Sequence, residues 1–210
     1  ISFVSDKNLL KSTETIIDNM NLSNVTRLVN TKLETKQGLN RFHWDLRHKG
    51  AWDKNGKRSY LNGPIVAPGN YIAKLTIGSE TVEQAFEIVI DPRVKESGIS
   101  VDDIHIQIAM QQKIVNLLTE AKKLESSLEN TLKTLKKDTT NNKEKINNLK
   151  TTLKSLKNNS GAYPQQMLTS QISYLLNMVS GADKKISEEA IKRLKELKNE
   201  FSTLKKKVSL

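Results

Sequence analysis

The hydrophobic pattern of this chain changes its period at the dipeptide Asp91-Pro92. Before it, apolar residues alternate with polar ones, as in β-strands, whereas after it they recur every three or four residues, as in helices. Proline donates no hydrogen bond to a strand ladder, so Pro92 is expected to end the last strand. The sequence therefore predicts a β + α chain with two segregated domains, residues 1–93 and residues 94–210.

The strand pattern is clearest in residues 38–93. Phe42, Trp44 and Leu46 fall on one face of the first strand predicted there. Trp44 is the expected core anchor, because one indole can bury up to about 250 Å². Tyr71 and Phe86 belong to two further alternating runs, which glycine-containing turns separate. Short strands joined by turns favour a β-sandwich.

The residues before position 38 allow more than one interpretation. Residues 1–10 carry a hairpin signal, since turn-forming residues at positions 6–8 separate two short apolar runs. Residues 12–37 are rich in Thr, Asn, Lys and Glu, which is typical of an insertion. Within them, residues 25–29 form either a strand or part of a long edge insertion.

The second half of the chain has the pattern of four amphipathic helices. Ser100 is the expected N-cap of the first, which would form a long hairpin with the second over residues 101–158. Its apolar seam comprises Met110, Ile114, Leu117, Ala121, Leu124, Leu128 and Leu135. Pro164 is expected in the first turn of the third helix, and Ser187 is the expected cap of the fourth. Short connections between these helices predict an antiparallel, up-down four-helix bundle.

Composition narrows the classes of function. The formal charge is +11, of which +2 falls in residues 1–92 and +9 in the remainder, mostly as Lys. Lys on helices is typical of a solvated face, and a nucleic-acid binder would use more Arg and aromatic residues, so no nucleic-acid partner is expected. The chain has no Cys, which excludes disulfides and thiolate metal sites. No apolar run approaches the roughly 18 residues of a transmembrane helix, and no signal peptide is evident.

No constellation of residues indicates catalysis, a cofactor or a metal. The three imidazoles, His43, His48 and His105, have no acidic partners at ligand spacing. Asp45 and Asp91 could be the paired carboxylates of a glycosidase, but structural ion pairs explain them better. The turn at residues 53–56 begins like a calcium loop, yet lacks the later bidentate Glu. We therefore expect a chain that is not an enzyme.

Several segments together resemble a known family. Residues 38–47 read Gly-Leu-Asn-Arg-Phe-His-Trp-Asp-Leu-Arg, residues 68–71 read Pro-Gly-Asn-Tyr, and residues 91–93 read Asp-Pro-Arg. They resemble the C-terminal immunoglobulin-like module of bacterial sortilin-like proteins with BNR-type repeats, which are often labelled glycosyl hydrolases and consist mainly of β-propellers. Residues 162–168, followed by Tyr174, resemble the helical segment that ends such proteins.

The resemblance implies an Ig-like β-sandwich followed by the antiparallel four-helix bundle, with the first strand of the sandwich missing. It also implies a C-terminal fragment whose propeller lies elsewhere, in a protein exported to the periplasm or surface of a Gram-negative bacterium. The function expected from it is a non-catalytic structural and interaction module that docks on its own propeller or on a cell-envelope complex. The residues expected in its core or interface are Phe42, Trp44, Leu46, Tyr71, Phe86, Arg93, Tyr163, Pro164 and Tyr174.

The alternative is a carbohydrate-binding or accessory domain of a glycoside hydrolase-like protein. Exposed aromatic residues stack on sugars, and Trp52 and Tyr60 fall in the loop over residues 48–63. Two aromatic residues in one loop are weak support, so the interaction module is preferred to this alternative.

Overall fold

The structure is a computed structural model that describes residues 36–54, 63–136, 142–158 and 164–208. The predictions for residues 1–35, for Tyr60 and for Tyr163 lie outside these residues. In chain order the elements are β1 (Gly69–Ile77), β2 (Glu80–Ile88), α1 (Pro92–Glu96), α2 (Val101–Leu135), α3 (Lys143–Leu156), α4 (Leu168–Ser180) and α5 (Glu188–Val208).

The predicted Ig-like β-sandwich is wrong. Within the described residues there is one sheet, and it has two antiparallel strands, β1 and β2, which is too little strand structure for a sandwich. Phe42, Trp44 and Leu46 do not form a strand, because Leu46 has a positive φ of 56° that breaks the alternation of an extended chain. Next to it, Asp45 accepts a hydrogen bond on Oδ1 from the Arg47 backbone N–H, as in a turn.

A short pairing holds this irregular segment to the residues before β1. The His48 N–H donates to the Pro64 carbonyl and the Val66 N–H donates to the Leu46 carbonyl, each at 2.8 Å. The backbones approach so closely that a Cβ added to Gly63 would lie 1.8 Å from the His48 carbonyl oxygen. Glycine is therefore required at position 63 because there is no room for a side chain, and not because of its backbone conformation.

β1 and β2 form a hairpin in which Tyr71 pairs with Phe86 and Leu75 pairs with Val82. The two-residue connection begins with Gly78, whose φ of +61° suits the tight turns that join strands of right-handed twist. After the hairpin, Pro92 begins α1 and the Asp91 carboxylate caps it by accepting from the Arg93 N–H. β2 thus ends at Ile88, shortly before this dipeptide, and the short helix that Pro92 begins was not predicted.

α2 begins at Ser100 with a complete capping box, in which Ser100 and Asp103 satisfy each other's backbone N–H groups. It contains 35 residues, so it is about 52 Å long. α3 and α4 contain 14 and 13 residues, which gives each a length of only about 20 Å. Neither alone can cover α2.

α3 and α4 therefore run one after the other along α2, both in the opposite direction to it. Lys157, just after α3, lies 2.6 Å from Glu129 of α2. The Met167 N–H, just before α4, donates to the Asn158 side chain at 2.7 Å, so α4 starts where α3 ends. At the far end, Gln111 of α2 donates to the Val179 carbonyl of α4 at 3.0 Å.

α5 then runs parallel to α2. Lys185, before α5, lies 3.9 Å from Asp103, and Lys205 lies 3.2 Å from Glu120. α2, the α3–α4 pair and α5 thus contact one another as a bundle of three rods, and the predicted up-down order of four helices is wrong. An up-down bundle requires successive helices to reverse, whereas α3 and α4 run in the same direction along α2. α4 begins at Leu168, so Pro164 lies before the helix and not in its first turn.

The hydrophobic core lies between these helices. Its fully buried side chains include Ile114, Leu156, Ile172 and Leu197. Trp44 is not part of it and is only half-buried. No described helix is both long enough and apolar enough to cross a membrane.

A polar contact attaches the segment before β1 to α2. The Trp52 N–H donates to Thr119 Oγ1 at 3.1 Å, and Ala51 packs against the core. Lys54 and Lys157 both bind the Glu129 carboxylate. These two hydrogen-bonded ammonium groups, with that of Lys157 contributing most, hold the pKa of Glu129 below its usual value.

Candidate interaction surface

One face of the β1–β2 hairpin is apolar and exposed. Leu75, Ile77 and Val82 lie on this face with 48%, 70% and 68% of their surfaces accessible to solvent. The register places Leu75 directly opposite Val82, so the three side chains are neighbours on one surface, with Glu80 opposite Ile77 and Gln84 opposite Ala73 at its margins. We call it the hairpin apolar face. Among the described residues, no helix makes more than a marginal contact with either strand.

An aromatic cluster closes the base of this face. The ring of Trp44 meets Tyr71 and Phe86 edge-on, with centroids 6.3 and 6.5 Å apart, and Tyr71 stacks on Phe86 at 5.8 Å. The Tyr71 hydroxyl donates to the Ala67 carbonyl at 2.6 Å, and Trp44 Nε1 donates to the Arg47 carbonyl at 3.2 Å. The structure therefore brings together three of the predicted aromatic residues, as a cluster rather than as the core of a sandwich.

The opposite face of the hairpin is mostly polar. Lys74 forms an ion pair with Glu83 across the strands at 3.0 Å, and Thr76 hydrogen-bonds to Thr81 at 3.1 Å. Ile72 is the exception, since it is 65% exposed on this face. These polar pairs suit this face to contact with water. The hairpin apolar face, in contrast, exposes hydrophobic side chains to water.

The hairpin also differs in charge from the rest of the chain. Over β1 and β2, Lys74 is the one cation, whereas Glu80, Glu83 and Glu87 are anions, all on β2. The element is therefore acidic within a chain of formal charge +11. Glu87 lies opposite Asn70, and no ion pair joins it to a described residue.

The remaining predicted residues do not converge on this surface. Phe42 is half-buried and Leu46 is 38% exposed in the segment before β1. The Arg93 guanidinium binds Asp91, two residues earlier, at 2.6 Å, so this contact is local to α1. Pro164 is half-buried before α4, and Tyr174 is 71% exposed on α4.

Candidate chemical groups are dispersed. Among the described residues no three of His, Cys, Asp and Glu come together as metal ligands would. Burial lowers the pKa of His48, which favours its neutral form. Asp53, the start of the supposed calcium loop, lies 3.5 Å from Lys122. Trp52 is half-buried, and its backbone N–H donates to Thr119 of α2.

Sequence reasoning identified the residues of the hairpin but not its exposure. Alternation in residues 71–77 shows that one face is apolar, and this holds equally for a strand covered by a second sheet. No signal in the sequence separates these two cases, because residues 42–46 alternate in the same way as β1. Comparison of the chain with protein-family models, with curated proteins and with solved structures found no match.

Proposed function

We propose that this chain is a non-catalytic interaction module that is held against another polypeptide through the hairpin apolar face. The observation that carries the proposal is the exposure of Leu75, Ile77 and Val82 as neighbours on one surface. Exposed apolar surfaces with polar surroundings are typical of protein-binding sites. An isolated two-stranded hairpin is also marginally stable in water, and a third strand or another packing surface stabilises it.

The helices form their core without the hairpin, and this supports the proposal. The helices bury a core of their own, which includes Ile114, Leu156 and Leu197, and this core does not use the strands. The hairpin is therefore not required to hold the helices together. Its apolar residues are explained better by binding than by folding of this chain alone.

The identity of the partner is proposed from the sequence resemblance. On that ground the partner is the β-propeller portion of a sortilin-like protein or a cell-envelope complex. The same resemblance suggests a location in the periplasm or at the surface of a Gram-negative bacterium. The structure supports the choice of the hairpin apolar face as the binding surface, and the sequence resemblance supports the choice of partner.

Face-selective photo-cross-linking in the cells that produce the protein tests the proposal. A photoreactive phenylalanine analogue is placed at position Val82 or, as the control, at Thr76 on the opposite face and on the other strand. We expect position 82 to give an adduct with one defined polypeptide and position 76 to give at least several-fold less. Equal yields at the two positions, or no adduct at either, would contradict the proposal.

A further inference from the structure

We infer that the edge of β2 accepts an extended strand of the partner, apolar on one side and basic on the other. This inference rests on the proposed function and specifies the chemistry of its partner. It has three grounds: the unpaired edge of the hairpin, the side chains on each face of β2, and the distribution of charge between the two strands.

The edge of β2 is open. The described sheet contains β1 and β2 alone, so the N–H and C=O groups of β2 that point away from β1 have no strand partner among the described residues. An open edge of this kind is a template for an added strand, which gains backbone hydrogen bonds along its length. Side chains of the added strand would then alternate between the two faces of the hairpin.

On the apolar side, residues 81–87 of β2 present Val82 and Phe86, with Gln84 between them, and Glu80 lies on the same side next to the turn. An added strand would place every second side chain beside these residues. Apolar residues at those positions would extend the hairpin apolar face and cover part of Val82 and Phe86. This face therefore requires apolar residues in the partner.

On the other side, β2 presents Glu83 and Glu87, with Ala85 between them. Lys74 already pairs with Glu83 from β1, whereas Glu87 faces Asn70. Opposite charges directly across a strand pair stabilise it, and like charges destabilise it. Lys or Arg at the partner positions opposite Glu83 and Glu87 therefore complements β2, and Asp or Glu there does not.

The charge distribution selects β2 over β1. The same face of β1 carries Asn70, Ile72, Lys74 and Thr76, and none of these is acidic. A strand with basic residues would meet Lys74 at the β1 edge and no carboxylate. The carboxylates that complement a basic strand lie at the β2 edge.

A pair of synthetic peptides tests the inference on the full chain. Placed antiparallel to residues 81–87, the sequence Lys-Val-Thr-Val-Lys-Val-Thr sets Lys opposite Glu87 and Glu83 and Val opposite the apolar side. The control peptide, Glu-Val-Thr-Val-Glu-Val-Thr, differs only in the sign of its charges. Binding is followed by the backbone amide signals of β1 and β2 in nuclear magnetic resonance.

We expect the basic peptide to bind about tenfold more tightly than the acidic one at low salt, and to shift the amides of β2 more than those of β1. The preference should fall at high salt, because these charges are exposed. The double variant Glu83→Gln, Glu87→Gln should reduce it to less than about twofold. The matched double variant Glu144→Gln, Glu200→Gln, with both changes on helices, should leave it unchanged.

Equal binding of the two peptides, no binding of either, or larger shifts in β1 would overturn the inference. Cross-links from position Val82 into residues 1–35 of the same chain, or into a second copy, would also overturn it. If the peptide test fails but position 82 still gives a face-selective adduct, the proposed function stands. Only the inference about a basic partner strand is then wrong. Loss of both results would remove the proposed function as well.

Discussion

Gln107 of α2 and Val179 of α4, which lie 72 residues apart in the sequence, are joined by a 2.7 Å hydrogen bond from the Gln107 side-chain amide to the Val179 carbonyl. The same amide donates to the Ala182 carbonyl at 2.7 Å, and its oxygen accepts from the Lys184 N–H at 3.3 Å. The last carbonyls of a helix have no partner within the helix. Gln107 thus caps the end of α4 from a neighbouring helix.

Replacement of this amide should destabilise the protein. Gln107 is 2% exposed, and in Gln107→Leu the Ala182 carbonyl would lose this donor, while the Val179 carbonyl would keep the bond from Gln111. We expect the free energy of unfolding to fall by about 1–3 kcal/mol, as measured by chemical denaturation. The control is Gln112→Ala, since the Gln112 side chain bonds to Asn116 on the same helix and its loss should cost less than about 0.5 kcal/mol. Similar losses in the two variants would contradict the capping role.

Alanine substitution should distinguish two glycines. In Gly63→Ala the new Cβ would overlap the His48 carbonyl, so the pairing before β1 should open at a cost of about 1–3 kcal/mol. Faster hydrogen exchange at the His48 and Val66 amides would report this opening. In Gly181→Ala the nearest atom is 3.7 Å away and φ is ordinary, so stability should be unchanged or slightly higher. Unchanged exchange in Gly63→Ala would show that the close approach is not real.

The aromatic cluster and the helical core should be separable by mutation. Trp44→Ala removes edge-on contacts worth about 0.5–1.5 kcal/mol each, and these lie at the base of the hairpin. We therefore expect the hairpin amide signals to change while helical unfolding, followed by circular dichroism, stays nearly constant. Leu197→Ala, in the fully buried core, should lower helical stability by about 2–5 kcal/mol. Equal helical destabilisation by both variants would place Trp44 in the core after all.

The pKa of Asp91 provides a test at acid pH. Hydrogen bonds from the Arg93 side chain and backbone lower this pKa from 3.8 to about 2. Because the folded pKa is depressed, the stabilisation by Asp91 is present above pH 3.8 and is lost as the pH falls through about 2. A carbon chemical-shift titration of Asp91 should give a midpoint near the lower value, and Arg93→Gln should raise it. A native midpoint at the ordinary value would show that the pair is not formed.

The spacing of apolar residues predicted the helices well, because a helix that is buried on one side needs an apolar residue every three or four positions. The seam through Met110, Ile114 and Leu117 is buried as expected, and Ser100 caps α2. Periodicity did not predict the direction of α4, because an apolar helix face repeats in the same way whichever way the helix runs. Val115 and Leu118 are buried as well, since α2 contacts helices on two sides.

The β half was predicted less well, for a related reason. Alternation identified β1 and β2, but the same alternation over residues 42–46 does not form a strand, because Leu46 adopts a positive φ. Strand pairing is a long-range property, and a single alternating run does not specify its partner. The exposure of Leu75 and Val82 follows from that missing partner and could not be read from either strand.

The most direct test of the central claim is amide hydrogen exchange in the hairpin, measured on the protein alone and in the assembly that it forms in its own cells. In the protein alone, we expect the amides of residues 72–77 and 80–86 to exchange rapidly, since a two-stranded sheet with an uncovered apolar face is marginally stable. In the assembly they should become strongly protected, while the amides of α2 remain protected in both. Exchange of the hairpin that is the same in both samples would contradict the claim that its apolar face is a binding surface.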